Sequence, residues 1–354
     1  MVNISRRRAT QALAAVVVAP LFGGCGRPPR AKLAVFNGRT MAGTYTIRIA
    51  RAGTMSGAAE AALERELFAA VDAVDRGMST YRPDSELSRL NRQAAEAPFV
   101  ASPELGKVLG MARAVSAASN GAFDVTVGPL VDAWGFGPAK GARPPSAEDI
   151  ARLRARVGWE SLVLDPVVQT ITKTRPEARA DLSGIAQGYG ADRIARALEE
   201  RGFGDYLVEV SGEMRTRGTN AEGAPWRIGI ERPDGAGERR PHYIVPLAGL
   251  SLATSGDYRN YFDLDGRRYS HEIDPKTGEP VAHRLASVSV VHPVCALADA
   301  WATALFVLGE ARGREVAVAE GLPAYFISRA ADGTLIDAPT PAFAALGGGA
   351  AGRG

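Results

Sequence analysis

The chain has 354 residues, 46% hydrophobic and 23% charged, an ordinary globular composition with enough length for one large or two smaller cores. The formal charge of +3 is uneven: Arg6, Arg7, Arg8, Arg27, Arg30 and Lys32 stand in an acid-free start, so residues 33–354 sum to −3. A body of that sign without a basic stripe excludes nucleic acid as a partner.

In chain order, Ser5-Arg6-Arg7-Arg8 precede an apolar stretch from Ala12 to Phe22 and then Gly-Gly-Cys25-Gly. A basic start, a short apolar centre and small residues at its end make a secretory signal, too short to span a bilayer comfortably. The paired arginines resemble a twin-arginine signal, and Leu21-Phe22-Gly23-Gly24-Cys25 resembles a bacterial lipoprotein cleavage site. Residues 1–24 are thus expected to be the signal peptide and 25–32 a tether, with Cys25 lipidated. That would leave the protein on the periplasmic side of the cytoplasmic membrane, held by a lipid anchor. An uncut N-terminal anchor is the alternative. Cys295 would then have no disulfide partner, and its apolar surroundings read as buried filler. The four histidines, His242, His271, His283 and His292, show no zinc-like spacing.

Residues 33–50 alternate apolar and polar and predict a strand or hairpin. Residues 57–76 place Ala61, Leu63, Leu67, Phe68, Val71 and Val74 at helical spacing. A second helix is expected over 102–118, with Ser102 as N-cap and Pro103 in the first turn. A Gly/Pro-rich loop follows at 137–146, a helix at 147–157, paired strands at 161–168 and 169–174, and a helix at 184–201 closed by Gly202. Strands are expected at 206–210, 226–230, 242–247, 251–254, 258–264 and 267–273, with a hairpin turn at Asp265-Gly266. A helix at 296–308 and a last strand at 324–329 complete a single domain over 33–346, and the Gly/Ala-rich 347–354 reads as a disordered tail. Strands cluster rather than alternate with helices, which favours an α+β fold.

Three segments carry chemistry. In Asp181-Leu-Ser-Gly184-Ile-Ala-Gln187-Gly188-Tyr-Gly190, glycines crowd a helix start at a cost of about 1 kcal/mol each. Either a phosphate lies against the backbone or the helix packs tightly. In Asp299-Ala-Trp-Ala-Thr303 a carboxylate and a hydroxyl share one helix face, which suits a hard cation such as Mg²⁺ or a simple cap. Thr254-Ser255-Gly256 reads as a tight turn bearing two hydroxyls, and His271 ends a strand just before Pro275.

Together with Val210-Ser-Gly-Glu213, Met78-Ser-Thr-Tyr81, Asp84-Ser-Glu-Leu-Ser-Arg-Leu-Asn91 and Gly121-Ala-Phe-Asp124 through Trp134-Gly135, these segments closely resemble the ApbE family, the FAD:protein FMN transferases. The resemblance runs in order from about Thr40 to the strand at 324–329. It implies an α+β fold related to the T-fold, with mixed or antiparallel sheets packed on helices and an FAD cleft between the halves. It also implies that Met41, Tyr81, Ala122, Phe123, Asp124, Asp181, Gln187 and Ile273 line that cleft, Tyr81 packing on a flat ring. Gly184, Asp299 and Thr303 are implied as Mg²⁺ ligands. A carboxylate that some relatives carry is Ala302 here, and the family's Met-Gly-Thr appears as Met41-Ala42-Gly43-Thr44.

The implied reaction transfers FMN from FAD to a threonine or serine hydroxyl of an acceptor flavoprotein, releasing AMP. His271 is expected to take the hydroxyl proton. Two rivals stand beside it: a Mg²⁺-dependent FAD pyrophosphatase, and an exported FAD-binding protein without activity. A Rossmann oxidoreductase is disfavoured, because no Gly-x-Gly-x-x-Gly follows a first strand.

Overall fold

A computed structural model describes residues 31–51, 53–137, 144–234, 240–265 and 267–351. The expected signal peptide, Cys25 and most of the tether lie outside the described residues, as do 138–143 of the Gly/Pro-rich loop.

The frame is an eight-stranded antiparallel sheet whose spatial order follows chain order: Lys32–Thr40, Gly43–Arg51, Tyr206–Val210, Glu213–Arg217, Ser251–Gly256, Leu285–His292, Ala324–Arg329 and Leu335–Pro339. The other elements are inserted between neighbours of this meander, except Pro341–Ala344 and Gly349–Ala350, which follow its last strand. One face turns Tyr45, Ile47, Ile49 and Val208 toward Leu63, Leu67 and Val71 of the Gly57–Met78 helix and Ile194 and Leu198 of the Ala186–Glu200 helix. The other face packs Leu207, Leu252, Val291 and Ile327 on a three-stranded sheet of Trp226–Glu231, Pro241–Leu247 and Gly349–Ala350. The α+β expectation therefore holds, with the main sheet between a helical layer and a second sheet. Among the described residues no helix is long and apolar enough to cross a membrane.

Local signals set the helix starts. Ser56, Ser102 and Ser146 each accept a backbone N–H of the first turn. In the Gly57–Met78 helix Leu63, Leu67, Val71, Val74 and Met78 are buried, each contributing about 1.5–3 kcal/mol. Phe68 is not on that face and is 42% exposed, because one residue past Leu67 turns the side chain by about 100°.

Other boundaries differ from the sequence reading for identifiable reasons. The Ala147–Arg154 helix stops short of Val157. Leu285–His292 is buried on both sides, which erases the alternation that reveals a strand. Glu213–Arg217, mostly charged, looks like a loop in sequence yet pairs with two sheet neighbours. Thr254, Ser255 and Gly256 lie in a strand rather than a turn, and Leu335–Pro339 follows the strand expected to be last. Within the segment read as a tail, Gly349 and Ala350 pair with Ile244 and Tyr243. The helix expected to end at Leu308 continues to Ala319, but through Gly309 at φ 74°, a break at the expected end.

Candidate active site

A cavity of about 410 Å³ opens where the insertions meet the ends of the central strands, a size suited to a small-molecule or cofactor site. All twelve residues expected to bind or catalyse in the described part of the chain line it: Met41, Tyr81, Ala122, Phe123, Asp124, Asp181, Gly184, Gln187, His271, Ile273, Asp299 and Thr303. They come from six stretches of chain, at 41, 81, 122–124, 181–187, 271–273 and 299–303.

Two hairpin tips form one wall. Met41 and Ala42 make the turn between the first two strands with φ of 49° and 59°, and Ser211 makes the next tip at φ 58°. Left-handed backbone on non-glycine residues is costly, and strain of this kind gathers at functional sites. The Ser211 N–H donates to Thr44 O at 2.8 Å, locking the tips side by side.

The floor is the Cys295–Ala319 helix against the Ala186–Glu200 helix. Gly188 N–H donates to Asp299 Oδ2 at 3.0 Å, and Thr303 Oγ1 lies 3.3 Å from Ser255 Oγ. A methyl group built at Gly184 would sit 3.1 Å from both Thr303 Oγ1 and the Phe123 ring. Residues 184, 299 and 303 thus meet at one end of the cavity. The glycine run has two explanations. Gly188 is required by packing, since a Cβ there would lie 2.5 Å from the Cys295 carbonyl oxygen, whereas Gly184 precedes the helix and faces the cavity. The helix start is not an open phosphate cradle: the N–H groups of Ile185 and Ala186 bond Leu182 O, and that of Gly188 bonds Asp299.

Sequence segments of no obvious chemistry hold these parts in place. Asn91 donates to Ala180 O at 2.8 Å and accepts Ala180 N–H at 2.7 Å, while Lys173 Nζ donates to Asn91 O at 3.0 Å. Asp181, next in line, accepts Ser183 N–H and Oγ–H at 2.8 and 2.5 Å. Asp124 is 8% exposed and committed to its own loop: Oδ1 accepts Thr126 N–H at 2.7 Å and Oγ–H at 2.6 Å, and Oδ2 accepts Trp159 N–H at 3.0 Å. Burial pushes its pKa up against those hydrogen bonds. Tyr81 stands 58% exposed at the mouth, its hydroxyl 3.4 Å from Phe136 O. The Phe136 ring meets His271 edge-on at 6.3 Å.

The electrostatics are unbalanced. Asp124, Asp181, Glu213, Glu272 and Asp299 line the cavity, and Arg259 is the only Arg or Lys among its lining residues. Arg259 pairs with Glu231. Burial raises the pKa of Glu213, with the Asp299 charge next in weight; burial also raises Asp299, with Glu272 and Asp192 adding to it against the Gly188 N–H. Glu272 is raised by burial, with His271 and Ser255 opposing. Glu213, Glu272 and Arg259 were not among the residues expected to bind or catalyse; Glu213 ends a quoted motif and Glu272 follows His271, but nothing in the chain says that their side chains converge with that of Arg259.

The match to the ApbE family model spans residues 41–326, which includes every one of the twelve. This chain belongs to the ApbE family. It is 41% identical over 325 residues to the FAD:protein FMN transferase of Haemophilus influenzae, covering 90% of this chain and 92% of that one. It is 43% identical over 317 residues to the enzyme of that name from Vibrio cholerae, covering 88% and 92%. The crystal structure of the flavin transferase ApbE from Vibrio cholerae superposes with a TM-score of 0.82 at 39% identity, covering 89% of this chain and 99% of that one. Like the ApbE enzymes, this protein is a transferase.

Proposed function

We propose that this ApbE-family transferase cleaves FAD with the help of a divalent cation and attaches FMN through a phosphoester to a threonine or serine hydroxyl of an acceptor flavoprotein, releasing AMP. Export and a lipid anchor at Cys25 would place this at the outer face of the cytoplasmic membrane. The observation that carries the reading is the convergence of Gly184, Asp299 and Thr303 with His271 on one acid-lined cavity.

The donor set fits Mg²⁺. Its atoms are all oxygens: the Asp299 carboxylate, the Thr303 hydroxyl and an oxygen of Gly184. Among the described residues no group of three or more His, Cys, Asp or Glu could hold a metal ion, so a metal here would keep positions for water or substrate phosphate. Five carboxylates against one arginine would otherwise repel a diphosphate. When bound, the cation neutralises charge on the phosphate oxygens and on the departing AMP.

The remaining work falls to the protein. Tyr81, Phe123 and Ile273 offer flat or apolar surface for the ring systems. His271 Nδ1 faces Asn260 O at 3.0 Å, which fixes the ring and turns Nε2 toward the cavity side. Nε2 accepts the acceptor's hydroxyl proton while that oxygen bonds the phosphorus on the riboflavin side and the phosphorus–oxygen bond to AMP breaks.

Mass spectrometry of an acceptor fragment co-expressed with the protein tests this. FMN added in wild type, lost in Asp299→Ala and reduced at least 100-fold in His271→Ala, is expected. Free FMN with an unmodified acceptor would indicate hydrolysis instead, and transfer undiminished by EDTA would refute the metal.

A further inference from the structure

Glu272 is a buried acid at the site with no part in the chemistry so far. It follows His271 in Ser270-His-Glu-Ile-Asp-Pro275 and is 8% exposed on the cavity wall. Its Oε1 lies 3.6 Å from His271 Nε2. The opposite nitrogen, Nδ1, meets the Asn260 carbonyl, which also accepts the His271 backbone N–H at 3.1 Å. A carbonyl only accepts, so Nδ1 carries the proton and the Nε2 lone pair lies on the side of Glu272.

We propose that Glu272 is a positioning residue for His271, its carboxylate balancing the imidazolium that forms when Nε2 takes the acceptor's hydroxyl proton. This rests on His271 being the base. At 3.6 Å the pair is longer than a hydrogen bond, so a lone pair on Nε2 is not tied up before the reaction. Once Nε2 is protonated, the two groups carry opposite charges, and with Glu272 buried and His271 about one-third exposed, solvent screens the attraction only in part. The proton leaves for solvent after AMP departs. The groups that face Glu272 are His271 from its own segment, the Ser255 hydroxyl from the Ser251–Gly256 strand and Asp299 from the Cys295–Ala319 helix. Among the described residues none of these is a Lys or Arg, so the imidazolium is the side-chain cation that Glu272 is placed to meet. Ser255 also touches Thr303, which ties the pair to the floor of the cavity.

The test is FMN transfer to an acceptor fragment at saturating FAD and acceptor by wild type, E272Q, E272D, H271A and the E272Q/H271A double variant. E272Q should lower kcat about tenfold while KM for FAD stays within about twofold, the split expected of a group that acts only once the imidazolium forms. E272D should recover most of the rate. The double variant should be no slower than H271A, as two residues acting as a unit require. An E272Q enzyme with unchanged kcat, or a double variant slower than H271A by the full E272Q factor, overturns the proposal. If H271A turns over like wild type, the base assignment itself fails, whatever E272Q does.

Discussion

At the scale of single residues, Ala42 marks where this chain departs from a relaxed geometry. A two-residue hairpin turn with left-handed backbone at both positions favours Asn-Gly or Asp-Gly, yet Met41 and Ala42 occupy it. Where the resemblance implies Met-Gly-Thr, this chain reads Met41-Ala42-Gly43-Thr44, and Gly43 stands in a strand where it is not needed for the turn. Ala42→Gly should remove most of a penalty of about 1–2 kcal/mol, less the added freedom of the unfolded chain. The expected gain is about 0.5–1 kcal/mol, read as a rise in the thermal midpoint; a fall would mean that the Ala42 methyl contributes more through packing than its backbone costs. A strand or hairpin was legible from the alternation of residues 33–50, but not where it turns. Nor was the strain of the turn, because φ depends on how the second strand registers with the first.

Among the elements, the Cys295–Ala319 helix carries the site and also its most unusual break. Gly309 at φ 74° faces His283, whose Cδ2 would lie 3.0 Å from an added Cβ. His283 Nε2 donates to Phe306 O at 2.7 Å, near the end of the first helical segment. Burial holds the His283 pKa below its ordinary value, with the Phe306 carbonyl opposing. A folded-state pKa below the unfolded value of about 6.5 gives stability that is present above that pH and lost as pH falls toward the folded pKa. The thermal midpoint should therefore drop between pH 7 and pH 5, and His283→Gln, which keeps a donor but does not titrate, should flatten part of that drop. Equal slopes in both proteins would show that His283 charges without cost. Sequence periodicity located this helix and its break at Leu308. It missed the continuation because a glycine inside a helical pattern reads as an end.

For the molecule as a whole, the meander has a consequence that runs from one terminus to the other. The strand Ala324–Arg329 is buried, and its outer edge is covered by Leu335–Pro339. Thr340 Oγ1 accepts Ala324 N–H at 3.0 Å and donates to Leu322 O at 2.9 Å. Phe343 is buried in the second core, and Gly349–Ala350 completes the small sheet. Removing residues 331–354 would expose a long apolar edge and open the face that holds Ile327 and Tyr325. Such a truncation should be recovered mainly as aggregate, with little monomer by size-exclusion chromatography. A soluble, monomeric truncation would show that the core closes without these strands.

The amino-acid order alone determined the helix starts, through serine caps and spaced apolar residues; the α+β class, through clustered strands; and, through motifs that keep their order, twelve of the residues that line the cavity. These are local properties, fixed by neighbours within a few residues. Only the tertiary structure decided that Gly184, Ser255, Asp299 and Thr303 meet, that the glycine at 188 serves packing, and that Glu213, Glu272 and Arg259 join them. Those facts depend on the register of antiparallel strands far apart in the chain and on how closely two helices approach. A sequence specifies such distances only through the sum of its packing, and no short window of residues contains them.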